Sequence, residues 1–316
     1  MKNNIIKYGL SLYCVIIITL FCSCESNRKA NKDIIIDRLI NSLNTYQEQR
    51  NGERLLDILD SLKYLKVDMP NVALIYADAY AYSGEFDKAI QILKDSISTS
   101  TKAQLLHNEL GSIYLLKQDT ANAILSYKQA INCNPNYARP YVNLAELYKS
   151  KNEKELAVNN YMEAVRLFCE FGFYEEMGIY ASEILQLDSI NLDAHKFLQH
   201  YCYTEKDYKM ALAIGFEIDH LAVEQNKLKE GYANMYFMGM ILFDMGEYEK
   251  AISLLHQASK DETTAKDYGY LICCYVSASY RKLGDNEKAE YFLNLAKVVN
   301  EEEAERYVSE LLKRNN

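Results

Sequence analysis

Apolar residues recur along most of the chain with the spacing of amphipathic helices, and polar residues fill the positions between them. In residues 104–137 the positions i, i+3, i+4 and i+7 are occupied by His107, Leu110, Gly111 and Tyr114, which places one stripe of side chains along one side of a helix. Helix breakers are scarce, because the 316 residues include 12 Gly and 3 Pro. The pattern therefore predicts an all-α protein of about fifteen helices.

One short phrase recurs with Gly, an acidic residue and Ala in fixed places. It is written GEFDKAI at residues 84–90, GEYEKAI at 246–252 and, more loosely, GDNEKAE at 284–290. Gly is favoured just after a helix because it adopts positive φ readily, and an acid is favoured near the start of a helix by the helix dipole. Each phrase therefore predicts the end of one helix, a turn and the start of the next helix.

The phrases belong to units of 34 residues that follow one another in strict phase: 70–103, 104–137 and 138–171. In the second unit, Ala123, Tyr127, Ala130 and Pro135 follow the stripe described above. This arrangement of Leu-Gly, Tyr, Ala, aromatic, Ala and Pro resembles the tetratricopeptide repeat, a pair of antiparallel helices that stacks on its neighbours.

The resemblance implies an α-solenoid of tetratricopeptide-type helical hairpins, wound into a right-handed superhelix and closed by a capping helix. We expect the solenoid to span 70–300, after a degenerate N-terminal helical hairpin at 33–69, with the capping helix at 301–316. Later units restart at 158, 192, 232 and 270, so the repeat is irregular near 158–191. An extra helix is expected at Tyr174–Leu187, and two repeat frames remain open there.

The first residues have the layout of a bacterial export signal. In MKNNIIKYGLSLYCVIIITLFCSC, a basic start precedes an apolar run, and Ser23 precedes Cys24. The stretch resembles a lipoprotein signal peptide at 1–23, which implies a lipid on Cys24 and a polar tether at 24–32. We therefore expect a protein of the cell envelope, anchored by lipid to a membrane, with the outer membrane favoured. An uncleaved signal anchor is the alternative.

Charge, cysteine usage and motifs exclude several classes of function. A net charge of -9 disfavours a nucleic-acid partner. Of the eight Cys, three lie in the signal or at its end, and the remaining five are an odd number without CxxC spacing, which argues against both a disulfide framework and a zinc site. No GxSxG, Walker-type loop or HExxH is present. The sequence thus predicts no enzyme, no metal and no cofactor.

Candidate binding residues come from the resemblance. In this family the first helix of each hairpin lines a concave groove through repeat positions 2, 5, 9, 12 and 13, and such a groove takes a peptide. Transferred to this chain, the groove is predicted to contain Leu74, Asp78, Tyr82, Leu105, Asn108, Ser112, Leu115, Arg139, Val142, Tyr203, Tyr236, Met240 and Phe243. Chaperone-binding members hold a terminal carboxylate at five such positions, but Asp78 and Glu109 would repel that ligand here.

The leading hypothesis is a membrane-anchored, non-catalytic adaptor that binds envelope proteins or peptides, similar to the short bacterial envelope lipoproteins with tetratricopeptide repeats. One alternative is a glycan-capture surface lipoprotein of a polysaccharide-utilisation system, although the chain has no Trp for sugar stacking. Another is a signal-anchored periplasmic chaperone partner.

Overall fold

A computed structural model describes residues 25–67 and 71–314 of the chain. The predicted signal peptide and Cys24 lie outside these residues. Sixteen α-helices and no strand occur in the described part, which confirms the all-α prediction. The chain divides into two compact units, Met1–Pro135 (unit 1) and Asn136–Asn316 (unit 2).

Unit 1 contains six of the described helices: α1 (Glu25–Glu48), α2 (Gly52–Tyr64), α3 (Val72–Tyr82), α4 (Phe86–Ile97), α5 (Ala103–Leu116) and α6 (Thr120–Cys133). Leu43 of α1 packs with Leu55 and Leu59 of α2 in a buried cluster. Gly111 of α5 lies against the buried ring of Tyr127 of α6, so a Cβ at Gly111 would come within 2.6 Å of that ring. The small residue of the repeat is therefore required by the close approach of two helices.

Unit 2 contains the other ten: α7 (Ala138–Ser150), α8 (Lys154–Glu170), α9 (Tyr174–Leu187), α10 (Leu192–Thr204), α11 (Tyr208–Glu224), α12 (Leu228–Asp244), α13 (Tyr248–Ala258), α14 (Glu262–Lys282), α15 (Asn286–Lys297) and α16 (Glu301–Arg314). Its largest buried cluster contains Phe243 of α12 and Tyr275 of α14. Ala304, Val308 and Leu311 of α16 belong to the same cluster, so this helix covers the end of the unit, as predicted for a capping helix.

In the described part of the chain, nine connections between successive helices are tight turns that contain one residue with positive φ. That residue is Gly84, Gly172, Gly246 or Gly284 in four turns and Arg50, Gln118, Asn152, Lys206 or Asn226 in five. In each turn the next N–H donates back to a carbonyl five residues earlier, as from Glu85 to Tyr80 at 2.8 Å and from Asp119 to Tyr114 at 2.8 Å. This is the Schellman ending of a helix, and Gly is one of several residues that occupy it here.

Residues 25–32, predicted as a polar tether, belong to α1, because Glu, Arg, Lys and Ala favour a helix and no Gly or Pro interrupts them. Among the described helices, none is both long enough and apolar enough to span a bilayer. The extra helix expected in the irregular region is α9, and α8 pairs with α7 on one side and with α9 on the other.

Candidate functional site on helices α8, α10 and α12

A cleft of about 340 Å³ opens between α8 and α10 in unit 2. Arg166 of α8 lines one side, and Asp193, Lys196, Phe197 and His200 of α10 line the other. Because α10 turns once in about 3.6 residues, these α10 positions share one side of the helix. The cleft therefore combines charged groups at its rim with two ring side chains.

The cations of the cleft are already paired. The Lys196 ammonium contacts Glu230 of α12 and lies 3.4 Å from Asp193, while Arg166 donates to Glu163 at 3.0 Å. Paired charges at this level of exposure contribute little to stability, but they hold long side chains in place. The arrangement is suited to a polar polypeptide rather than to a free anion.

His200 connects the cleft to a line of partly exposed rings. This aromatic row consists of Tyr174, His200, Phe237, Tyr203 and Tyr208, with successive ring centroids 5.4, 6.3, 5.3 and 5.7 Å apart. Burial lowers the pKa of His200, so its ring is neutral at physiological pH. The row comes from four helices, and its rings offer large contact area at a small cost in side-chain entropy.

Asp244 lies beside the aromatic row, at the end of α12. The Tyr203 hydroxyl donates to Oδ2 of Asp244 at 2.7 Å, whereas Oδ1 is buried and has no hydrogen-bond partner among the described residues. Burial raises the pKa of Asp244, against the lowering effects of Tyr203 and of Arg314 of α16. Buried carboxylate oxygens usually accept a hydrogen bond, so Oδ1 of Asp244 is an unsatisfied acceptor within the described residues.

Unit 1 carries a different group on the first helices of its hairpins. Asp78 of α3 accepts a hydrogen bond of 2.9 Å from Gln47 of α1. Burial, with a smaller effect of the nearby Asp78, raises the pKa of Glu109 of α5 to about 7. Neither carboxylate forms an ion pair with a described residue, so this acid pair is partly buried without a neutralising cation.

The predicted groove residues are placed unevenly. Arg139 is exposed, and eight others are half-buried: Leu74, Asp78, Tyr82, Leu105, Ser112, Leu115, Tyr203 and Met240. Asn108, Val142 and Tyr236 are more than nine-tenths buried. Phe243 is fully buried, and its ring packs edge to face on Tyr248 and Tyr275. These four side chains offer little or no surface to a ligand, and at Phe243 the long helix α14 covers that side of α12. The groove role of the other residues stays a prediction.

The same repeat rule points to cleft residues that were not selected from the sequence. Asp193, Lys196 and His200 occupy positions 2, 5 and 9 of the unit that starts at 192, and Arg166 occupies position 9 of the frame that starts at 158. Arg166 was missed because two frames were open in that region, and both apply, since α8 pairs on two sides. Among the described residues, no group of three or more His, Cys, Asp or Glu is arranged to hold a metal ion.

Comparisons with known proteins agree with the helical pattern. A family model described as TPR repeat matches residues 111–152, and one described as tetratricopeptide repeat matches 138–168 and 232–260. The uncharacterized protein ycf37 of Cyanophora paradoxa is 26% identical over 167 residues, which cover 52% of this chain and 88% of that protein. The photosystem I assembly protein Ycf3 of Acaryochloris marina is 25% identical over 126 residues, covering 39% and 75%.

A solved structure, that of the APC/C hetero-tetramer Cut9-Hcn1, aligns with a TM-score of 0.42 at 16% identity. The alignment covers 88% of this chain and 55% of that one, so the chain spans about half the length of that neighbour. Proteins with this repeat are generally non-catalytic scaffolds that bind proteins or peptides. From the repeat matches in both halves and the sixteen described helices, the chain is a member of the tetratricopeptide repeat family.

Proposed function

We propose that this protein is a membrane-anchored adaptor of the bacterial cell envelope, which holds other envelope proteins or peptides and performs no catalysis. The observation that carries the proposal is the partly exposed aromatic row next to the cleft in unit 2, whose rings His200, Phe237 and Tyr203 lie on the first helices of two consecutive hairpins. Rings with polar groups at both ends are what an extended or helical peptide needs for affinity and orientation.

The name of one relative supports a function in the assembly of proteins, not in catalysis. Ycf3 is named an assembly protein, and an adaptor that aligns polypeptides during assembly needs a rigid surface, not a reactive group. The charged groups that line the cleft are paired with neighbouring side chains, as Lys196 is with Glu230, which suits a surface that holds a polypeptide in a fixed position.

Photo-crosslinking in cells that make the full chain tests this proposal. A benzophenone amino acid at position 200, in the cleft, is expected to capture one or a few envelope proteins. The same amino acid at Gln257, an exposed residue of α13, serves as the matched control. Equal labelling at the two positions, or no adduct at position 200, would contradict an adaptor that uses this surface.

Anchoring is tested separately through Cys24. In the proposed protein the lipid on Cys24 holds the chain to the membrane, facing the periplasm or the cell surface. Cys24→Ser is expected to move the chain to the soluble fraction, with Cys22→Ser as the control that leaves it in the membrane. A chain that stays in the membrane after Cys24→Ser is held by an uncleaved signal anchor instead.

A further inference from the structure

We infer that Asp244 and Tyr203 form a receiving site for a basic side chain, arginine or lysine, of the polypeptide that binds along the aromatic row. The inference rests on the proposed function and adds to it the chemical class of the ligand. It starts from the unmet oxygen Oδ1 of Asp244, which is buried without a hydrogen-bond donor among the described residues.

The chemistry of this carboxylate selects a cation. One oxygen is satisfied by the Tyr203 hydroxyl at 2.7 Å, and an ionised carboxylate accepts several further hydrogen bonds. Leaving such a group buried and unpaired is costly, whereas a guanidinium or ammonium supplies both charge and donors. A neutral side chain supplies donors but no positive charge, and an acidic side chain has a negative charge that repels the carboxylate.

The rings around the carboxylate favour the same class of ligand. The Tyr203 ring contacts Phe237 at 5.3 Å and Tyr208 at 5.7 Å between centroids. Cations are attracted to the faces of aromatic rings, and arginine also stacks on them. A basic side chain that reaches Asp244 along the row would thus remain in contact with rings over its whole length.

The chain's own Arg314 shows that a guanidinium can come close to this place. Arg314, near the end of α16, acts on Asp244 through its charge. It forms no ion pair with that carboxylate among the described contacts, and instead donates to the Tyr275 hydroxyl at 3.4 Å. Arg314 therefore leaves the hydrogen-bonding capacity of the Asp244 carboxylate partly unfilled. Its positive charge also repels a basic ligand that approaches this carboxylate.

The overall charge acts in the same direction. The chain has 44 acidic against 35 basic residues, so its long-range field attracts basic segments and repels acidic ones. In unit 2, the cations Arg166 and Lys196 of the cleft are paired with carboxylates, whereas Asp244, beside Tyr203, forms no ion pair with a described residue. Asp244 is therefore the group near the row that a basic side chain would pair with.

Selection from a random dodecapeptide library displayed on phage tests the inference with the full chain as bait. Selected peptides are expected to carry Arg or Lys next to an apolar residue. Their affinity, titrated by fluorescence anisotropy, is expected to fall about tenfold or more in Asp244→Asn, since a hydrogen bond to a charged group is lost. Asn retains an acceptor for Tyr203, so the variant keeps the local geometry. Exposed Glu249→Gln is the matched control and is expected to change nothing.

The second variant, Arg314→Gln, has the opposite expected sign. It removes the competing cation, so basic peptides are expected to bind about threefold tighter, a gain that a purely structural role of Arg314 would not produce. Selected peptides without basic residues, or equal affinity for wild type and Asp244→Asn, would overturn the inference while leaving the adaptor proposal intact. A library that yields no binder at all would count against the adaptor proposal itself.

Discussion

The two units differ in how the charged side chains on the first helices of their hairpins are paired. In unit 1, Asp78 and Glu109 are partly buried without a cation among the residues that the structure describes, and Gln47 donates a hydrogen bond to Asp78. In unit 2, Lys149 contacts Glu183 and Lys196 contacts Glu230, each pair joining residues one repeat apart. The repeat therefore determines how the helices pack, but it does not determine which polar side chains occupy the exposed side. These side chains differ between the two units.

The largest expected effect of this difference is a pH dependence in unit 1. The pKa of Glu109 is about 7, against an ordinary value of 4.5. Because the folded state binds this proton more tightly than the unfolded state, the contribution of Glu109 to stability is fully present below about pH 4.5 and is lost as the pH rises through about 7. At about 1.4 kcal/mol per pKa unit, the full loss is of the order of 3 kcal/mol.

Glu109→Gln is expected to remove most of that loss, since Gln is neutral at every pH. Amide hydrogen exchange of α5 and of α10, measured at about pH 5 and about pH 8 after correction for the intrinsic rate, resolves the two units in the full chain. Glu163→Gln, an exposed site in unit 2, is the control. If α5 of the variant loses as much protection as α5 of the wild type, the acid pair is not the cause.

The second effect concerns hydroxyl groups of tyrosines. Tyr203→Phe in unit 2 removes the donor to Asp244 and leaves both carboxylate oxygens unmet, so unfolding is expected to cost about 2 kcal/mol less. Tyr127→Phe in unit 1 removes a hydroxyl whose bond to Ser112 is 3.4 Å long, and the expected loss is below about 0.5 kcal/mol. Urea denaturation measures the free energy of unfolding of both variants. Equal losses in the two variants would contradict the expected difference between the two hydroxyl groups.

Sequence patterns predicted the helices well because packing dictates them. Ala89, Ala123, Ala157, Ala251 and Ala289 follow the turns of their hairpins, and all are fully buried. A larger side chain would separate the two helices at each of these positions. Such constraints act on every repeat, so they leave a pattern that can be counted along the chain.

The exposed side left a weaker pattern. Phe243 occupies a groove position but is covered by α14, whose 21 residues exceed the usual helix of the repeat. The unmet oxygen of Asp244 depends on where Tyr203 and Arg314 come to lie, and these residues are 41 and 70 positions away in the sequence. Sequence spacing within one repeat does not show that these distant residues lie close together, so this site could be recognised only from the structure.

The third effect tests whether the backbone turns are alike in both units. Gly84→Ala and Gly246→Ala force a Cβ into the left-handed region, and each is expected to destabilise the protein by about 1 kcal/mol. Gln118→Gly and Lys206→Gly relieve the same strain, partly offset by the flexibility of Gly in the unfolded chain, and each is expected to stabilise it by about 0.5 kcal/mol. Thermal unfolding of the four variants checks the signs, and like signs for both pairs would refute a shared turn geometry.

The smallest effect concerns the ion pairs that distinguish unit 2. Lys149 and Glu183 are both about one-third exposed or less, so the pair is desolvated on forming and remains partly screened by water. Lys149→Met is therefore expected to destabilise the protein by less than about 1 kcal/mol, and the loss is expected to shrink in concentrated salt. Lys117→Met in unit 1 is the control, because the Lys117–Asp87 pair lies further in solvent and its loss is expected to be undetectable in urea denaturation. A larger loss of stability for Lys117→Met than for Lys149→Met would mean that the repeat-spaced pairs of unit 2 contribute only to the placement of side chains. The contrast between the units would then depend on the acids of unit 1 alone.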